Sequence, residues 1–327
     1  MKKSTPYLRT LAPLALALCS SAATALPISE YGLIVEEDFG SDSSVYGKAF
    51  IGRNLVGGVS SFGSHLGGDF SGNALTVVGN ITANGVTLQN GGLTHGGTIA
   101  SGTTINYNGI QKFAQQGNLS DLVNQKNTLI DELKSASTQY SQKYDSQDAL
   151  TSANITHNNL NLTYSGPASI AYFSLDGEDI FSNSNFTFNL NAGTAETVII
   201  NVSGKDIAAT SSIGMLTGLN NGPFSSAYDN EDHKNNILWN FFEAEKLTLD
   251  TQGKFVGSIL AMSAEILKLS EIDGSVAAKS LIGHNREIHD YTFNPPTPVP
   301  LPASANFLLA GALLMGWLRF RKRKSTL

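Results

Sequence analysis

A repeat near the end of the central region constrains the fold more than any other feature of this sequence. The segment GSILA at 257–261 recurs seventeen residues later as GSVAA at 274–278. The leucines at both ends of 247–249 likewise recur twenty residues later at both ends of 267–269. A spacing of seventeen to twenty residues is about one coil of a β-solenoid, in which each coil buries its apolar side against the next. The repeats therefore predict stacked short strands.

Glycine-rich segments at 40–110 extend this pattern. They hold 17 of the 32 glycines, interleaved with Val, Ile, Leu and Phe. Three of them share the order glycine, polar, apolar, small, and we predict a short strand at each: 68–72, 79–82 and 97–100. The glycine spacing is irregular. An antiparallel β-sandwich, whose turn signals recur every ~8–12 residues, therefore stays open beside the solenoid.

One segment has the periodicity of a helix instead of a strand. No Gly or Pro occurs at 119–144, and its apolar residues fall on one stripe. The stripe consists of Leu119, Leu122, Val123, Leu129, Ile130, Leu133, Ala136, Tyr140 and Tyr144. We predict one long helix at about 119–144 that covers an apolar flank of the solenoid. A partner-binding or coiled-coil helix is the alternative, but Lys126 and Ser137 interrupt the stripe.

The first 25 residues have the three parts of an export signal. A basic start at 2–9 precedes an apolar run at 11–18, and the small residues Ala23 and Ala25 predict signal peptidase cleavage after Ala25. Cys19 is the only cysteine, so the mature chain would have none. Disulfides, thiol catalysis and cysteine metal sites are then excluded, and core burial must hold the domain together.

The C-terminal end has the layout of a membrane span. Residues 303–318 carry no charge, and at about 1.5 Å per residue they reach roughly 24 Å, against ~30 Å of hydrocarbon core. We predict a transmembrane segment at 303–320 and a cytoplasmic tail at 321–327, with the body outside. The charges that fix this orientation are Arg319, Arg321, Lys322, Arg323 and Lys324.

A proline motif at 295–302 precedes this span. Its end, Val299, Pro300, Leu301 and Pro302 followed by Ala303, resembles the VPLPA type of the PEP-CTERM sorting signals of Gram-negative bacteria. The resemblance covers about 299–324. It implies an exosortase-type membrane enzyme as a partner, an inner-membrane intermediate, and a final location at the cell surface or outside the cell.

Charge limits the partners of the body between these signals. All 27 acidic residues lie there, with 13 of the 21 basic ones, which gives a formal charge of −14. Such a body repels nucleic acid. We therefore expect no nucleic-acid partner.

The order of segments resembles the choice-of-anchor A family. Glycine-rich strands and one long helix are followed by ETVIINVSG at 196–204, ILWNF at 237–241, GSILA, SVAAKSL at 275–281 and EIHDYTF at 287–293. The resemblance spans roughly 31–293. It implies a mainly β domain at 26–294, a right-handed parallel β-helix with a flanking helix that is related to ice-binding-like adhesive domains. It also implies an adhesive or matrix role with surface polysaccharide or surface proteins as partners, and it supplies no catalytic residues.

A search for chemistry gives few candidates. The chain has no nucleophile elbow, H-E-x-x-H or phosphate loop. Glu287 and His289 would share a strand face, with His284 on the other, so we interpret 284–289 as a closing strand instead of a zinc site. The acidic clusters 176–179 and 229–232 lack calcium-loop spacing and are interpreted as solvated turns, with weak calcium sites as the alternative.

We therefore expect no catalytic residue, cofactor or metal. Two other functions stay open. A polysaccharide-active β-helix enzyme needs charged groups clustered on one face, and the glycine-rich coils offer few. Ice binding needs a regular ladder of Thr or Ser on a flat face. The candidate threonines are irregularly spaced: Thr76, Thr82, Thr87, Thr94 and Thr98.

Overall fold

The computed structural model describes residues 26–110, 112–143, 150–156, 159–181, 185–209, 212–214, 234–250 and 254–294. They belong to one compact unit, Ala25–Pro296. The predicted signal peptide, sorting motif, apolar span and basic tail lie outside the described residues, as does Tyr144. No helix within the described ranges is long and apolar enough to cross a membrane.

The structure consists of short strands with two α-helices. The first strands are β1 (Leu33–Val35), β2 (Phe39–Ser41), β3 (Ser44–Val45), β4 (Ala49–Ile51), β5 (Leu55–Val56), β6 (Val59–Phe62), β7 (Asn73–Val77), β8 (Gly85–Leu88), β9 (Gly92–His95), β10 (Thr104–Tyr107) and β11 (Ala114–Gln116), and we call them the N-terminal arm. A 3₁₀ turn at Pro27–Ser29 precedes them, and the long helix α1 (Leu119–Lys143) follows.

The remaining strands form the C-terminal arm. They are β12 (Thr151–Thr156), β13 (Asn159–Tyr164), β14 (Ile170–Asp176), β15 (Asn185–Asn191), β16 (Thr197–Ser203), β17 (Asp206–Ala209), β18 (Ser212–Gly214), β19 (Ile237–Asn240), β20 (Lys246–Leu249), β21 (Phe255–Val256), β22 (Ser258–Leu269), β23 (Ile272–Asp273), β24 (Val276–His284) and β25 (Ile288–His289). The short helix α2 (Gly177–Phe181) follows β14.

The coils have three sides. The first side has the order β11-β9-β7-β4-β1-β24-β22-β19-β16-β14, to which β22 and β24 contribute their first halves. The second side contains β2, β5, β17 and β20 with the second halves of β22 and β24. The third side is a separate sheet, β10-β8-β6-β3-β25-β23-β21. Pairing on these sides is parallel, which confirms the solenoid and overturns the sandwich.

A further sheet contains the one antiparallel pair among the described strands. It joins β12 to β13, and β15 and β18 continue the sheet in parallel. The repeats do not predict this sheet, because its alternating strands have no glycine-marked repeat in the sequence.

The chain does not stack its coils in sequence order. β1 lies in the middle of the first side and pairs with β4 on one edge and β24 on the other. On the first side, the N-terminal arm runs from β1 in the middle to β11 at one end. The C-terminal arm begins at the other end with β14 and runs back to β24, which pairs with β1. The two arms therefore form one continuous solenoid.

Helix α1 connects the outer ends of the two arms. Its 25 residues reach roughly 38 Å, close to the roughly 43 Å spanned by ten strands. It begins beside Gly96, where Leu119 and Leu122 lie, and later contacts β22, β19, β16 and β14. A second apolar cluster fills the space between α1 and the first side, including Ile34 and Leu260. The predicted position and role of the helix are confirmed.

Ser137, which interrupts the apolar stripe, is an anchor of the helix. Its hydroxyl donates to Asn240 Oδ1 (2.6 Å), and Asn240 Nδ2 donates to the Ser137 carbonyl (2.9 Å) and to Asn201 Oδ1 (2.8 Å). Asn201 Nδ2 in turn donates to the Tyr140 carbonyl (3.0 Å). Ser137 and both asparagines are buried, so this network satisfies polar groups that would otherwise destabilise the packing.

A ladder of side chains joins successive coils at the corner between the first and second sides. The backbone N–H of Asn54 donates to Asp38 Oδ1 (3.0 Å), that of Asn80 to Asn54 Oδ1 (3.0 Å) and that of Thr98 to Asn80 Oδ1 (2.8 Å). The sequence separations are 16, 26 and 18 residues.

The coil of 26 residues, between Asn54 and Asn80, contains a loop in place of the strand predicted at 68–72. That prediction was wrong because the glycines at 68–72 lie in a loop that leaves the coil between β6 and β7, and not in a strand of the coil.

The two predicted repeats have different outcomes. Segment 257–261 pairs with 274–278 on neighbouring coils in the predicted register, so that repeat is confirmed. A Cβ at Gly274 would collide with the Gly257 carbonyl, which explains the recurring glycine. In the leucine repeat, Leu249 pairs with Leu269 at the predicted spacing. A bulge shifts the register before it, so that Leu247 pairs with Ile266 while Leu267 is exposed.

Candidate functional site

The third side of the N-terminal arm presents a row of neutral polar side chains. Strand alternation points Val45, Phe62, Val86 and Leu88 into the core, and the residues between them point outward. Parallel pairing brings four of these into register, and we call them the polar row: Ser44, Ser61, Thr87 and Asn106. Beside it, Asn108 donates to Gln89 Oε1 (2.9 Å) and Gln89 to Ser61 Oγ (3.1 Å). None of these six residues carries a formal charge.

The same side carries charged groups in the C-terminal arm. Lys254, Glu271 and Glu287 come immediately before β21, β23 and β25, and Asp273 and His289 end β23 and β25. Together with Tyr46, which follows β3, and Lys234 they form what we call the His289 cluster. The pairing of Asp273 with His289 in adjacent strands positions its centre.

His289 lies among three carboxylates. Its Nδ1 is 2.5 Å from Asp273 Oδ1, and its Nε2 is 3.3 Å from both Glu271 Oε1 and Glu287 Oε2. Only 11% of the His289 side chain is exposed. The Tyr46 hydroxyl donates to Glu287 Oε2 (2.8 Å), and the Tyr46 ring stacks 4.7 Å from the imidazole.

A buried ion pair supports Asp273 from behind. Lys234 Nζ lies 2.8 Å from Asp273 Oδ2, with 9% and 2% of the two side chains exposed. Lys234 also lies over the Tyr291 ring, 4.6 Å from its centroid. At the surface, Lys254 is 3.0 Å from Glu271 Oε1. With His289 protonated, the three cations balance the three carboxylates.

These contacts shift the pKa values of the cluster in the directions expected for such pairing. The hydrogen bond to Asp273 raises the pKa of His289, against the opposing effect of burial. Burial alone would raise the pKa of Asp273, but the bonds from His289 and Lys234 outweigh it and lower that pKa. The hydrogen bond from Tyr46 lowers the pKa of Glu287.

The sequence identified part of this cluster. Glu287 and His289 do lie together on one side, whereas His284 ends β24 on the second side, opposite Ser41. Glu271 and Asp273 were missed. Their signal is the tripeptide E-I-D at 271–273, which recurs sixteen residues later as E-I-H at 287–289. Within the described residues, Glu271, Asp273 and His289 have ligand atoms close enough for one metal ion.

The other predicted sites are dispersed. Asp176 Oδ1 accepts from the backbone N–H of Glu178 (2.9 Å) and Asp179 (3.3 Å), so the first acidic cluster begins helix α2 instead of forming a turn. The second cluster, 229–232, lies outside the described residues.

The threonines do not form one ladder. Thr76 and Thr94 pair on the first side but are buried, Thr87 lies on the third side, and Thr82 and Thr98 adjoin the second. A threonine face for ice is therefore not assembled from these five residues.

Comparison with known proteins gives one family. The family model described as "Putative Ice-binding-like adhesive domain" matches residues 25–290. No curated protein matches the sequence. Two solved structures are similar over much of their length. An ice-binding protein from the Antarctic ascomycete Antarctomyces psychrotrophicus is 13% identical, covering 81% of this chain and 98% of its own, with a TM-score of 0.26. An ice binding protein from an Antarctic Biological Consortium is 12% identical, covering 86% and 94%, with a TM-score of 0.25.

Proposed function

Because the chain belongs to the ice-binding-like adhesive domain family, we propose that it is an exported, non-catalytic protein that adheres at the cell surface or in the surrounding matrix. Membership of the choice-of-anchor A family is part of this proposal. It is supported by the order of the sequence segments, from the glycine-rich strands to the E-I-H strand.

The polar row is the observation that carries the adhesive proposal. Its hydroxyl and amide groups stand on neighbouring parallel strands, about 4.8 Å apart, on a rigid core. Neutral groups of this kind both donate and accept hydrogen bonds, and they cost less to desolvate than charges. A hydroxyl-rich polysaccharide suits such a surface better than a charged partner does. Other surface proteins are the alternative partner.

Substitution of the polar row tests this proposal. In the double variant Thr87→Lys/Asn106→Lys, two long cations would block the surface without entering the core. We expect at least a tenfold loss of binding to polysaccharide isolated from the producing cells, measured by co-sedimentation. Thr82→Lys is the matched control, because Thr82 is an exposed threonine on the second side. Equal binding by the double variant and the control would contradict the proposed surface.

Delivery to the surface is the second part of the proposal. It is supported by the export signal, the apolar span, the basic tail and the proline motif. Pro300 and Pro302 fix φ near −65° and remove two backbone donors, which keeps the motif extended for a sorting enzyme. Replacing both with alanine should leave the span inserted and retain full-length protein in the inner membrane. Arrival at the surface in the normal size and amount would reject sorting in favour of a simple anchor.

A polysaccharide-active enzyme is the second candidate, and the His289 cluster favours it by placing acids and bases on one side. Its groups are mutually paired, however, and Asp273 and Lys234 are buried away from any substrate. We therefore expect no turnover of a broad polysaccharide panel. Turnover that Glu287→Gln abolishes would establish the enzyme instead.

Ice binding is the further alternative within the same family. If the chain binds ice, the full chain should inhibit ice recrystallisation. If the polar row is the surface that binds ice, Thr87→Lys/Asn106→Lys should abolish that inhibition.

A further inference from the structure

The His289 cluster places an imidazole nitrogen beside two partly exposed glutamate carboxylates. We propose that His289 Nε2, Glu271 Oε1 and Glu287 Oε2 bind one Zn²⁺ ion on the third side of the C-terminal arm. This site is separate from the polar row and does not depend on the adhesive function.

Two of the three distances within this set fit one ion. Nε2 is 3.3 Å from each of the two carboxylate oxygens. In a tetrahedral site with bonds of about 2.1 Å to nitrogen and oxygen, neighbouring ligand atoms lie about 3.4 Å apart. Measured from Nε2, each glutamate oxygen is therefore already near the separation that a shared ion requires.

The surrounding residues orient the proposed ligands. Asp273 accepts the Nδ1–H of His289, which leaves Nε2 directed toward the two glutamates. Lys234 pairs with the other oxygen of Asp273, and both side chains are buried. Asp273 is thereby held in position, and through it the Nδ1 side of the imidazole. A carboxylate that accepts the second ring N–H of a ligating histidine is the usual arrangement in zinc sites. The Tyr46 hydroxyl donates to Glu287 Oε2, the proposed ligand atom itself, and so holds this oxygen in place.

The exposed side of the group leaves room for an ion to enter. The Glu271 and Glu287 side chains are 33% and 45% exposed, so water can complete a tetrahedral set. One imidazole with two carboxylates suits Zn²⁺, whereas Ca²⁺ and Mg²⁺ are bound by oxygen ligands.

The rival interpretation is an ion-pair cluster with no metal. A proton on Nε2 and Lys254 beside Glu271 would then hold the carboxylates together. Zn²⁺ would replace both, because Nε2 binds a metal only after losing its proton, and the charge of the ion would take the place of the Lys254 ammonium beside Glu271. Titration with Zn²⁺ distinguishes the two interpretations.

The full chain, purified without a histidine tag and treated with EDTA, should bind one Zn²⁺ per molecule in calorimetry with ZnCl₂. Glu271→Gln and Glu287→Gln should each weaken binding by about 100-fold, and Tyr46→Phe by about 10-fold as the loss of a supporting hydrogen bond. Both glutamates are partly exposed, so these variants should fold, which circular dichroism checks.

Glu265→Gln is the control, because Glu265 is an exposed glutamate on the second side that pairs with Lys279. It should bind Zn²⁺ like the unaltered chain. Absence of Zn²⁺ binding by the unaltered chain would overturn the proposal. So would binding that Glu271→Gln and Glu287→Gln leave unchanged, since the ion would then be held elsewhere.

Discussion

The two arms of the solenoid use the same third side in opposite ways. In the N-terminal arm, the outward residues are the neutral polar row, whose hydroxyl and amide groups lie at the surface. In the C-terminal arm, the outward residues are the charged His289 cluster, whose groups are bonded to one another around a buried ion pair. Strand geometry and pairing are the same in both.

This difference suggests that the polar row serves binding and that the His289 cluster serves the stability of the fold. A surface that binds a partner must keep hydrogen-bonding groups accessible, and removing one costs the fold little. A cluster that neutralises its own buried charges contributes to folding, and removing one member leaves the others uncompensated. We therefore expect substitutions to change the free energy of unfolding strongly in the C-terminal arm and weakly in the N-terminal arm.

The largest effect is expected from breaking the buried ion pair. Asp273→Ala leaves Lys234 buried beside no counter-charge, and it removes the acceptor of His289 Nδ1. We expect a loss of about 3–5 kcal/mol in the free energy of unfolding, measured by urea denaturation. A loss below about 1 kcal/mol would show that the pair is not a structural centre.

Helix α1 gives the next contrast, because it packs on both arms. Asn240→Ala leaves the Ser137 hydroxyl and carbonyl without a partner in the buried network. It should cost about 2 kcal/mol in the free energy of unfolding. Leu119→Ala, at the half-exposed start of the helix beside the N-terminal arm, should cost less than about 1 kcal/mol. The reverse order would mean that the helix is held mainly by the N-terminal arm.

The contrast should also depend on pH. The pKa of His289 is raised in the folded protein, so its stabilising contribution is complete below its unfolded value near 6.5 and is lost as pH rises through the folded pKa. Urea midpoints measured with EDTA should therefore fall from pH 6 toward alkaline pH. His289→Gln should flatten that decline. Asp38, whose bond from Arg53 lowers its pKa, loses its contribution at acidic pH instead, when pH falls through its folded value.

The smallest effect is expected in the polar row. Thr87→Ala removes a half-buried hydroxyl on the outward face, and no hydrogen-bond network of the kind around His289 depends on it. The free energy of unfolding should change by less than about 0.5 kcal/mol. Urea denaturation of Thr87→Ala and Asp273→Ala under the same conditions measures this. A larger loss in Thr87→Ala would show that the polar row, like the His289 cluster, contributes to folding.

The sequence predicted those parts of the fold that repeat at a fixed interval. Segments 257–261 and 274–278 pair because they are one coil of seventeen residues apart. Helix α1 follows from a long apolar stripe in a segment without Gly or Pro. The prediction at 68–72 failed because a loop there has the same glycine pattern as a coil. The bulge at Leu247 shifted a repeat whose spacing looked regular.

The His289 cluster was harder to predict because its members come from five separate parts of the chain. Glu287 and His289 were found together because they lie two residues apart. Tyr46 joins them from 241 residues away, and Lys234 reaches Asp273 from a segment with no strand pattern. Sequence spacing does not show that β24 and β25 return to the first coils, so it could not bring these residues together.

One paired binding measurement tests the central claim that adhesion belongs to the neutral surface of the N-terminal arm. Binding of the full chain to isolated cell-surface polysaccharide is compared for Thr87→Lys/Asn106→Lys and for Lys254→Ala/Glu287→Gln. The account predicts at least a tenfold loss in the first variant and binding within about twofold of the unaltered chain in the second. Loss in the second variant with unchanged binding in the first would contradict it.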